Sequence, residues 1–105
     1  MADYLLIESR DPFESNETSY YCDLARGLAE AGNQVTLFLV QNAVLAARPL
    51  ARSALQSLIG SGISVLADDF ALQERGIAQL LTGIQIAPIE TVVDRMEAGH
   101  KTLWH

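Results

Sequence analysis

The sequence is poor in the residues that build disulfides, metal centres and redox sites. Its 105 residues include one cysteine, Cys22, and two histidines, His100 and His105. A single cysteine cannot form a disulfide within the chain, which favours a reducing, cytoplasmic location. The histidines lie close to the end of the sequence, without a second cysteine or a nearby acidic partner. We therefore expect solvated side chains there and no metal site.

Positive charge is also scarce. Seven Lys and Arg residues stand against thirteen Asp and Glu, the net charge is −6, and Lys101 is the only lysine. Recognition of a nucleic-acid backbone or of an anionic lipid surface needs a concentrated positive face. These counts argue against nucleic acid and against a membrane surface as partners.

Several sequence signals are missing. No apolar run approaches the ~20 residues of a membrane helix, and the start at Met1–Tyr4 lacks the basic segment of a signal peptide. There is no GxGxxG, P-loop or GxSxG motif, so we expect no nucleotide or other cofactor. There is also no repeat and no linker, and the length suits one domain spanning residues 1–105.

Half of the residues are hydrophobic, and they follow alternating strand and helix patterns. Continuous apolar runs are typical of strands buried on both faces, whereas a 3.6-residue period indicates a helix. Strands are expected at Tyr4–Ile7, Gln34–Gln41, Ile63–Ala67, Gly83–Ala87 and, at a sheet edge, Thr102–Trp104. Helices are expected before Gly32, from Pro49 to Gly60, and along the stripe Ile89, Val92, Val93 and Met96, with a short helix within the loop 68–76. The stretch Asn42–Arg48 is expected to be either a short helix or an irregular crossing.

This alternation predicts a three-layer α/β/α sandwich with a mostly parallel sheet of about five strands. Ligand sites in such sheets lie at the carboxyl ends of the strands. In this chain those ends lead into segments 9–18, 41–44 and 68–76, which are the places to look for function.

Cys22 is the only residue able to carry sulfur as a persulfide. On a helical wheel it lies roughly 100° from the centre of its helix's apolar stripe, at the boundary between core and surface. Arg26, one turn later, would favour a thiolate, and the helix dipole would help if Ser19 is the N-cap. The acidic residues that would oppose ionisation are Glu14, Glu17 and Asp23. The alternative is a half-buried cysteine that packs as a small apolar residue.

The segment after the third strand holds the other candidates. Asp68 and Asp69 are adjacent carboxylates that suit acid–base chemistry, unless Asp69 is simply the cap of the helix that follows. Arg75 is able to bind an anion or to cross a subunit interface. Alternatively, Arg75 and Gly76 do no more than end that helix.

Four stretches together resemble the DsrE/DsrF/DsrH family of sulfur-relay proteins, and their order and spacing span almost the whole chain. They are the opening strand with its loop and helix, Val35–Val44, Ile63–Ile77, and Gly83–Ile86 with the closing Thr102–Trp104. The resemblance implies an α/β/α sandwich that assembles as trimers or hexamers. It also implies that active members pass sulfur between cysteines of partner relay proteins.

Two branches of the family are relevant to the site. In the DsrE-type branch the sulfur-carrying cysteine follows the third strand, and the matching position here is Asp68, whose carboxylate cannot form a persulfide. The DsrH-type branch has a Pro-Phe-acidic-x-Asn loop before a helix with a cysteine near its start. The segment Asp11–Asn16 and Cys22 are similar to that arrangement.

These inferences lead to three hypotheses. In the first, the chain is a sulfur-relay component in which Cys22 accepts and passes on sulfane sulfur while Arg26 supports the thiolate, at most a sulfurtransferase-like carrier. In the second, it is a structural or regulatory subunit that has lost the sulfur chemistry and acts through its homo-oligomer. In the third, it is a binding module for a small ligand at the strand ends.

Overall fold

The sheet is described by a computed structural model that covers residues 2–10, 17–49 and 55–105. Its strands are β1 (Asp3–Glu8), β2 (Gln34–Leu39), β3 (Ser64–Asp68), β4 (Ile84–Ala87) and β5 (Lys101–Trp104). They lie in the order β4-β3-β2-β1-β5, and all four pairings are parallel. This confirms the predicted α/β fold, and β5 lies at a sheet edge as expected.

The helices occupy the predicted connections. They are α1 (Glu17–Glu30), a 3₁₀ helix (Gln41–Ala47), α2 (Leu55–Gly60), α3 (Asp69–Glu74) and α4 (Glu90–Glu97). The proposed helix start after Pro49 involves residues 50–54, which lie outside the described residues. Ser19 lies inside α1 and is therefore not its N-cap.

The two faces of the sheet are covered by different elements. On the first face, which includes Leu6, Leu37 and Val65, a core forms with residues from α1, the 3₁₀ helix, α2 and α3. On the second face, Leu5, Ile7, Phe38, Val40, Leu66 and Ala87 form a smaller core with Val92 of α4. Strands β1 to β4 are added one after another towards one edge of the sheet, and β5 is then added at the other edge, beside β1. Because the crossover connections are right-handed, this reversal places α4 on the face opposite to the earlier helices.

The apolar stripe predicted near Ile89 coincides with α4, but only part of it packs against the sheet. Val92 contacts the second-face core. Ile89, Val93 and Met96 are 47%, 55% and 54% exposed. These three residues follow one another at helical spacing and form a continuous surface, called the α4 stripe below.

Candidate functional site

All strands are parallel, so their carboxyl ends meet along a single edge of the sheet, called the carboxyl edge below. β1 ends there with Glu8 and β3 with Asp68. Two groups of polar side chains lie at this edge: one around the ends of β1 and β5, and one around the start of α3.

The first group is built on a buried carboxylate. The Glu8 side chain is 4% exposed, and its Oε2 lies 2.7 Å from Nδ1 of His105, whose side chain is 17% exposed. The imidazole stacks on the Tyr21 ring at a centroid distance of 5.1 Å. Glu8 Oε1 accepts a hydrogen bond from the backbone N–H of Arg10 at 2.9 Å. Both carboxylate oxygens of Glu8 are therefore satisfied, as the burial of a charged group requires.

Strand pairing brings these distant residues together. The β1–β5 ladder continues past Trp104, because the His105 N–H donates to Ile7 O at 2.8 Å and the Ser9 N–H donates to His105 O at 2.9 Å. The Tyr21 hydroxyl donates to Leu103 O at 2.6 Å, which fixes α1 to β5. Our expectation of solvated tail histidines is therefore wrong. His105 is part of a paired and packed group, and the His100 side chain is only 15% exposed.

Cys22 lies deeper than its helical position predicted. It is 7% exposed and belongs to the first-face core, so the expected boundary position is wrong. Burial raises the pKa of its thiol to about 11, and the Glu8 carboxylate adds to this shift. Arg26 lowers the pKa and Asp23 raises it, but both effects are smaller than that of burial. The environment of Cys22 therefore favours the neutral thiol.

Arg26 is engaged with other groups on the surface. Its Nη1 donates to Asp23 Oδ1 at 2.9 Å, and its Nη2 donates to Ser57 Oγ at 2.8 Å. Because α1 begins at Glu17, Cys22 lies beyond the first turn, where the helix dipole has little effect. Neither Arg26 nor the helix end compensates the desolvation of the thiol.

Asp68 is the N-cap of α3. It is 7% exposed, and its Oδ2 accepts a hydrogen bond from the Ala71 N–H at 3.2 Å. The alternative that Asp69 is the cap is wrong, because Asp69 is already helical. The exposed Asp69 carboxylate instead accepts from Gln73 Nε2 at 3.0 Å. The two adjacent carboxylates thus have different partners, and Asp68 performs a structural task.

Arg75 connects α3 to the 3₁₀ helix. Its Nη2 and Nε donate to Asn42 Oδ1 at 2.9 and 3.3 Å, and its Nη1 donates to Ala71 O at 3.2 Å. Glu74 lies 3.7 Å away as an exposed ion-pair partner. Gly76 follows with φ +64°, a left-handed conformation that suits glycine after a helix end. Arg75 therefore holds the 68–76 segment against segment 41–47.

The structure places Cys22 near Glu8 and Tyr21, which both contact His105, and separately groups Asp68 with Arg75 and Gly76. No local sequence pattern points to Glu8 and His105 as a pair, since they are 97 positions apart and meet only through strand pairing. The Asp11–Asn16 loop of the DsrH-type resemblance lies outside the described residues. Within the described ranges, no three His, Cys, Asp or Glu side chains are arranged to bind a metal ion. No helix among them could cross a membrane.

Several solved structures have the same fold. The crystal structure of the ychN protein from E. coli superposes with a TM-score of 0.91 at 20% identity and covers 100% of both chains. The protein of unknown function MTH1491 from Methanobacterium thermoautotrophicum has a TM-score of 0.84 at 16% identity, covering 99% of this chain and 98% of that one. The conserved protein BT1422 from Bacteroides thetaiotaomicron has a TM-score of 0.75 at 19% identity, covering 98% and 94%. No protein-family model and no curated protein matches the sequence. The likeness to these structures establishes the fold.

Proposed function

We propose that this chain is a structural or regulatory subunit of the DsrE/DsrF/DsrH-like type, acting in a cytoplasmic sulfur-relay system through its assembly and surfaces. The observation that carries the proposal is the state of its only thiol. With the pKa of Cys22 raised to about 11 by burial, the thiolate fraction at pH 7 is on the order of one in ten thousand. A relay cysteine must instead be accessible and partly ionised.

The Asp68 position supports the same proposal. The resemblance to the DsrE-type branch puts the sulfur-carrying cysteine there, and a carboxylate cannot replace a thiol in that chemistry. The carboxylate caps α3 and is buried, so it has a task that a persulfide would not perform. In this proposal Arg75 and Gly76 keep the neighbouring segment in shape and do not bind a substrate.

The exposed apolar surface supports the assembly part of the proposal. The α4 stripe, Ile89, Val93 and Met96, is about half exposed, and Trp104 on the edge strand is 62% exposed. Grouped apolar side chains on a small protein are a frequent sign of a protein interface. We propose that this surface packs against further copies of the chain, giving the trimer or hexamer that the family resemblance implies, and that other relay proteins bind to the assembly.

A second candidate function, sulfur carriage on Cys22, is favoured by its place beside the Glu8–His105 pair at the carboxyl edge. In this reaction the Cys22 thiolate attacks the sulfane sulfur of a donor. A new S–S bond forms at Cys22 Sγ, and the donor's S–S bond breaks with its electron pair leaving on the donor thiolate. An acceptor thiolate then takes the terminal sulfur and releases Cys22. This route requires local opening of α1 around the thiol.

Intact-protein mass spectrometry after incubation with a polysulfide separates the two candidates. We expect the folded chain to remain unmodified, and the same chain in denaturant, where the thiol is free, to react. Cys22→Ser is the matched control, because it removes the only thiol. A dithiothreitol-reversible addition of one sulfur, about 32 Da, on the folded chain but not on Cys22→Ser would establish carriage and overturn the main proposal.

Light scattering tests the assembly. We expect an oligomer at micromolar concentration, and Val93→Glu should weaken it because a carboxylate would be desolvated at the contact. Gln56→Glu adds the same charge at an exposed position of α2, on the other side of the sheet, and should leave the mass unchanged. A monomer mass for the unmodified chain across this range, or an equal effect of both variants, would contradict the proposed interface.

A further inference from the structure

The edge of the sheet where the strands begin contains a cavity of about 280 Å³. The polar residues that line it come from the starts of β2 and β3, from the turns just before these strands, from α4 and from the turn before β5: Asn33, Gln34, Thr36, Ser61, Ser64, Arg95 and His100. The sequence contains thirteen acidic residues, yet no described Asp or Glu lines this cavity. An excess of basic over acidic groups at one place in a chain of net charge −6 calls for an explanation.

Arg95 supplies the positive charge of the cavity. Its Nη1 donates to the buried Thr36 Oγ1 at 3.0 Å, which ties the guanidinium to β2. Arg26 and Arg75 each have a carboxylate oxygen within 4.0 Å, whereas Arg95 has none among the described residues. A guanidinium has five N–H donors in a planar fork that fits an oxyanion. Arg95 therefore holds a fixed orientation while most of its donors stay available.

His100 forms another part of the wall. Its side chain is 15% exposed, and its Nδ1 is buried without a hydrogen-bond partner among the residues that the structure describes. Its Nε2 lies 4.0 Å from Asp3 Oδ2, a separation at the limit of an ion pair and too long for a hydrogen bond. The imidazole therefore has unused hydrogen-bonding capacity, an uncommon state for a mostly buried polar side chain.

Ser64 adds a hydroxyl at the mouth of the cavity. It is exposed at the first position of β3, and its hydroxyl has no hydrogen bond to another described residue. By contrast, Ser61 in the preceding turn already donates to Ser57 O at 3.0 Å. A guanidinium, an imidazole and a free hydroxyl around one cavity make a donor set that suits negatively charged oxygen atoms.

We propose that this cavity binds a small oxyanion, with Arg95 as its charged contact and His100 and Ser64 as further hydrogen-bonding groups. The ligand chemistry is a compact group with two or more anionic oxygens, as in phosphate, sulfate or a carboxylate. The site lies at the opposite edge of the sheet from Cys22 and Glu8, so it does not depend on the proposed function. A result that contradicts the oxyanion site therefore leaves the proposed function unaffected, and the reverse also holds.

Heteronuclear NMR of the full chain, titrated in parallel with sodium phosphate, sodium sulfate and sodium acetate at constant ionic strength, tests the site. We expect saturable shifts of the Arg95 Nε–H and of the backbone amides of Ser64 and His100, with at least one anion. The phosphate and sulfate arms report on tetrahedral groups and the acetate arm on a planar carboxylate. The tightest arm therefore identifies the kind of oxyanion that the cavity takes.

Arg95→Gln should weaken the binding about tenfold or more, since charge-assisted hydrogen bonds to the anion are lost. Arg48→Gln is the matched control, because Arg48 is exposed and donates its Nε to Leu45 O at 2.9 Å, away from the cavity. If Arg95→Gln fails to fold, Ser64→Asp places a negative charge at the cavity mouth and should also suppress binding. Shifts that never saturate, or equal binding by wild type and the folded variant, would overturn the site.

Discussion

The two faces of the sheet are packed to different extents. On the first face, α1, the 3₁₀ helix, α2 and α3 cover the strands and bury side chains such as Leu58 completely. On the second face, α4 is the one helix that contributes to the core among the described residues, and Val92 is its contact. The same helix leaves Val93 and Met96 more than half exposed.

This difference separates the side chains that stabilise the fold, on the first face, from the apolar surface on α4 that is available for binding. Burial of apolar side chains supplies most of the folding free energy, so the first face should dominate the stability of a single copy. The apolar surface on α4 contributes little within one copy, but it can be buried against another molecule. Substitutions on the two faces should therefore respond differently to protein concentration.

The largest effect is expected in the first-face core. Leu58 is 0% exposed on α2, and Leu58→Ala removes three buried carbons and leaves a cavity, which costs about 2–5 kcal/mol of unfolding free energy. Urea unfolding of dilute protein measures this loss. Val93→Ala on α4, where the side chain is 55% exposed, is the comparison and should change stability by less than about 0.5 kcal/mol. Equal losses would show that the two faces do not differ as described.

The next effect is a loss of stability in alkali. Burial raises the pKa of Cys22 from 9.0 to about 11. The folded thiol holds its proton more tightly than the unfolded one, so this stabilisation is complete below the unfolded pKa and is lost as the pH rises towards the folded pKa. About 2–3 kcal/mol should disappear between pH ~9 and ~11.

Denaturant unfolding as a function of pH measures this loss, and Cys22→Ser should reduce the slope over that interval because serine does not titrate there. Burial and Glu8 also raise the pKa of Tyr21 from 10.0 to about 12, so a decline between pH ~10 and ~12 should remain in Cys22→Ser and disappear in Tyr21→Phe. An unchanged slope in Cys22→Ser would indicate that the thiol ionises without constraint, which would revive sulfur carriage as its role.

The positions of the strands could be predicted from the sequence for a physical reason. Buried parallel strands must be apolar on both faces, so Tyr4–Ile7 and Ile63–Ala67 stand out as continuous runs, with ends within one or two residues of those observed. The regular α4 stripe likewise predicted a helix. Periodicity indicates which residues share a helix face, but it does not indicate whether another element of the fold packs against that face.

The site was much less accessible to sequence reasoning. The helical wheel placed Cys22 at a boundary, but the wheel omits neighbouring elements, and packing against the first-face core buries the thiol. Glu8 directly follows the predicted apolar strand Tyr4–Ile7, and His105 was interpreted from its place in the sequence instead of from the strand ladder. The buried Glu8–His105 contact can be predicted only when the pairing of β1 with β5 is known.

A moderate effect is expected at the cap of α3. Asp68→Ala removes the side-chain acceptor of the Ala71 N–H and should cost about 0.5–2 kcal/mol. Asp68→Asn keeps an acceptor oxygen and should recover most of this stability, whereas Asp69→Ala, at the exposed neighbour, should change little. Thermal unfolding of the three variants measures the order. A loss in Asp69→Ala as large as that in Asp68→Ala would contradict the assignment of the cap.

In dilute protein, the smallest change in unfolding free energy is expected from substitutions on the α4 stripe. The informative measurement is how the unfolding temperature depends on protein concentration. Met96 is 54% exposed, so Met96→Gln, which keeps the length and helix propensity of the side chain, should alter the unfolding free energy of a single copy by less than about 0.5 kcal/mol. If another copy covers the stripe, the unfolding temperature of the wild-type chain should rise with concentration, because association stabilises only the folded state. Met96→Gln should weaken that rise, while Gln56→Glu on exposed α2 should not. Parallel, concentration-independent curves for all three proteins would show that a second copy does not cover the α4 stripe in solution.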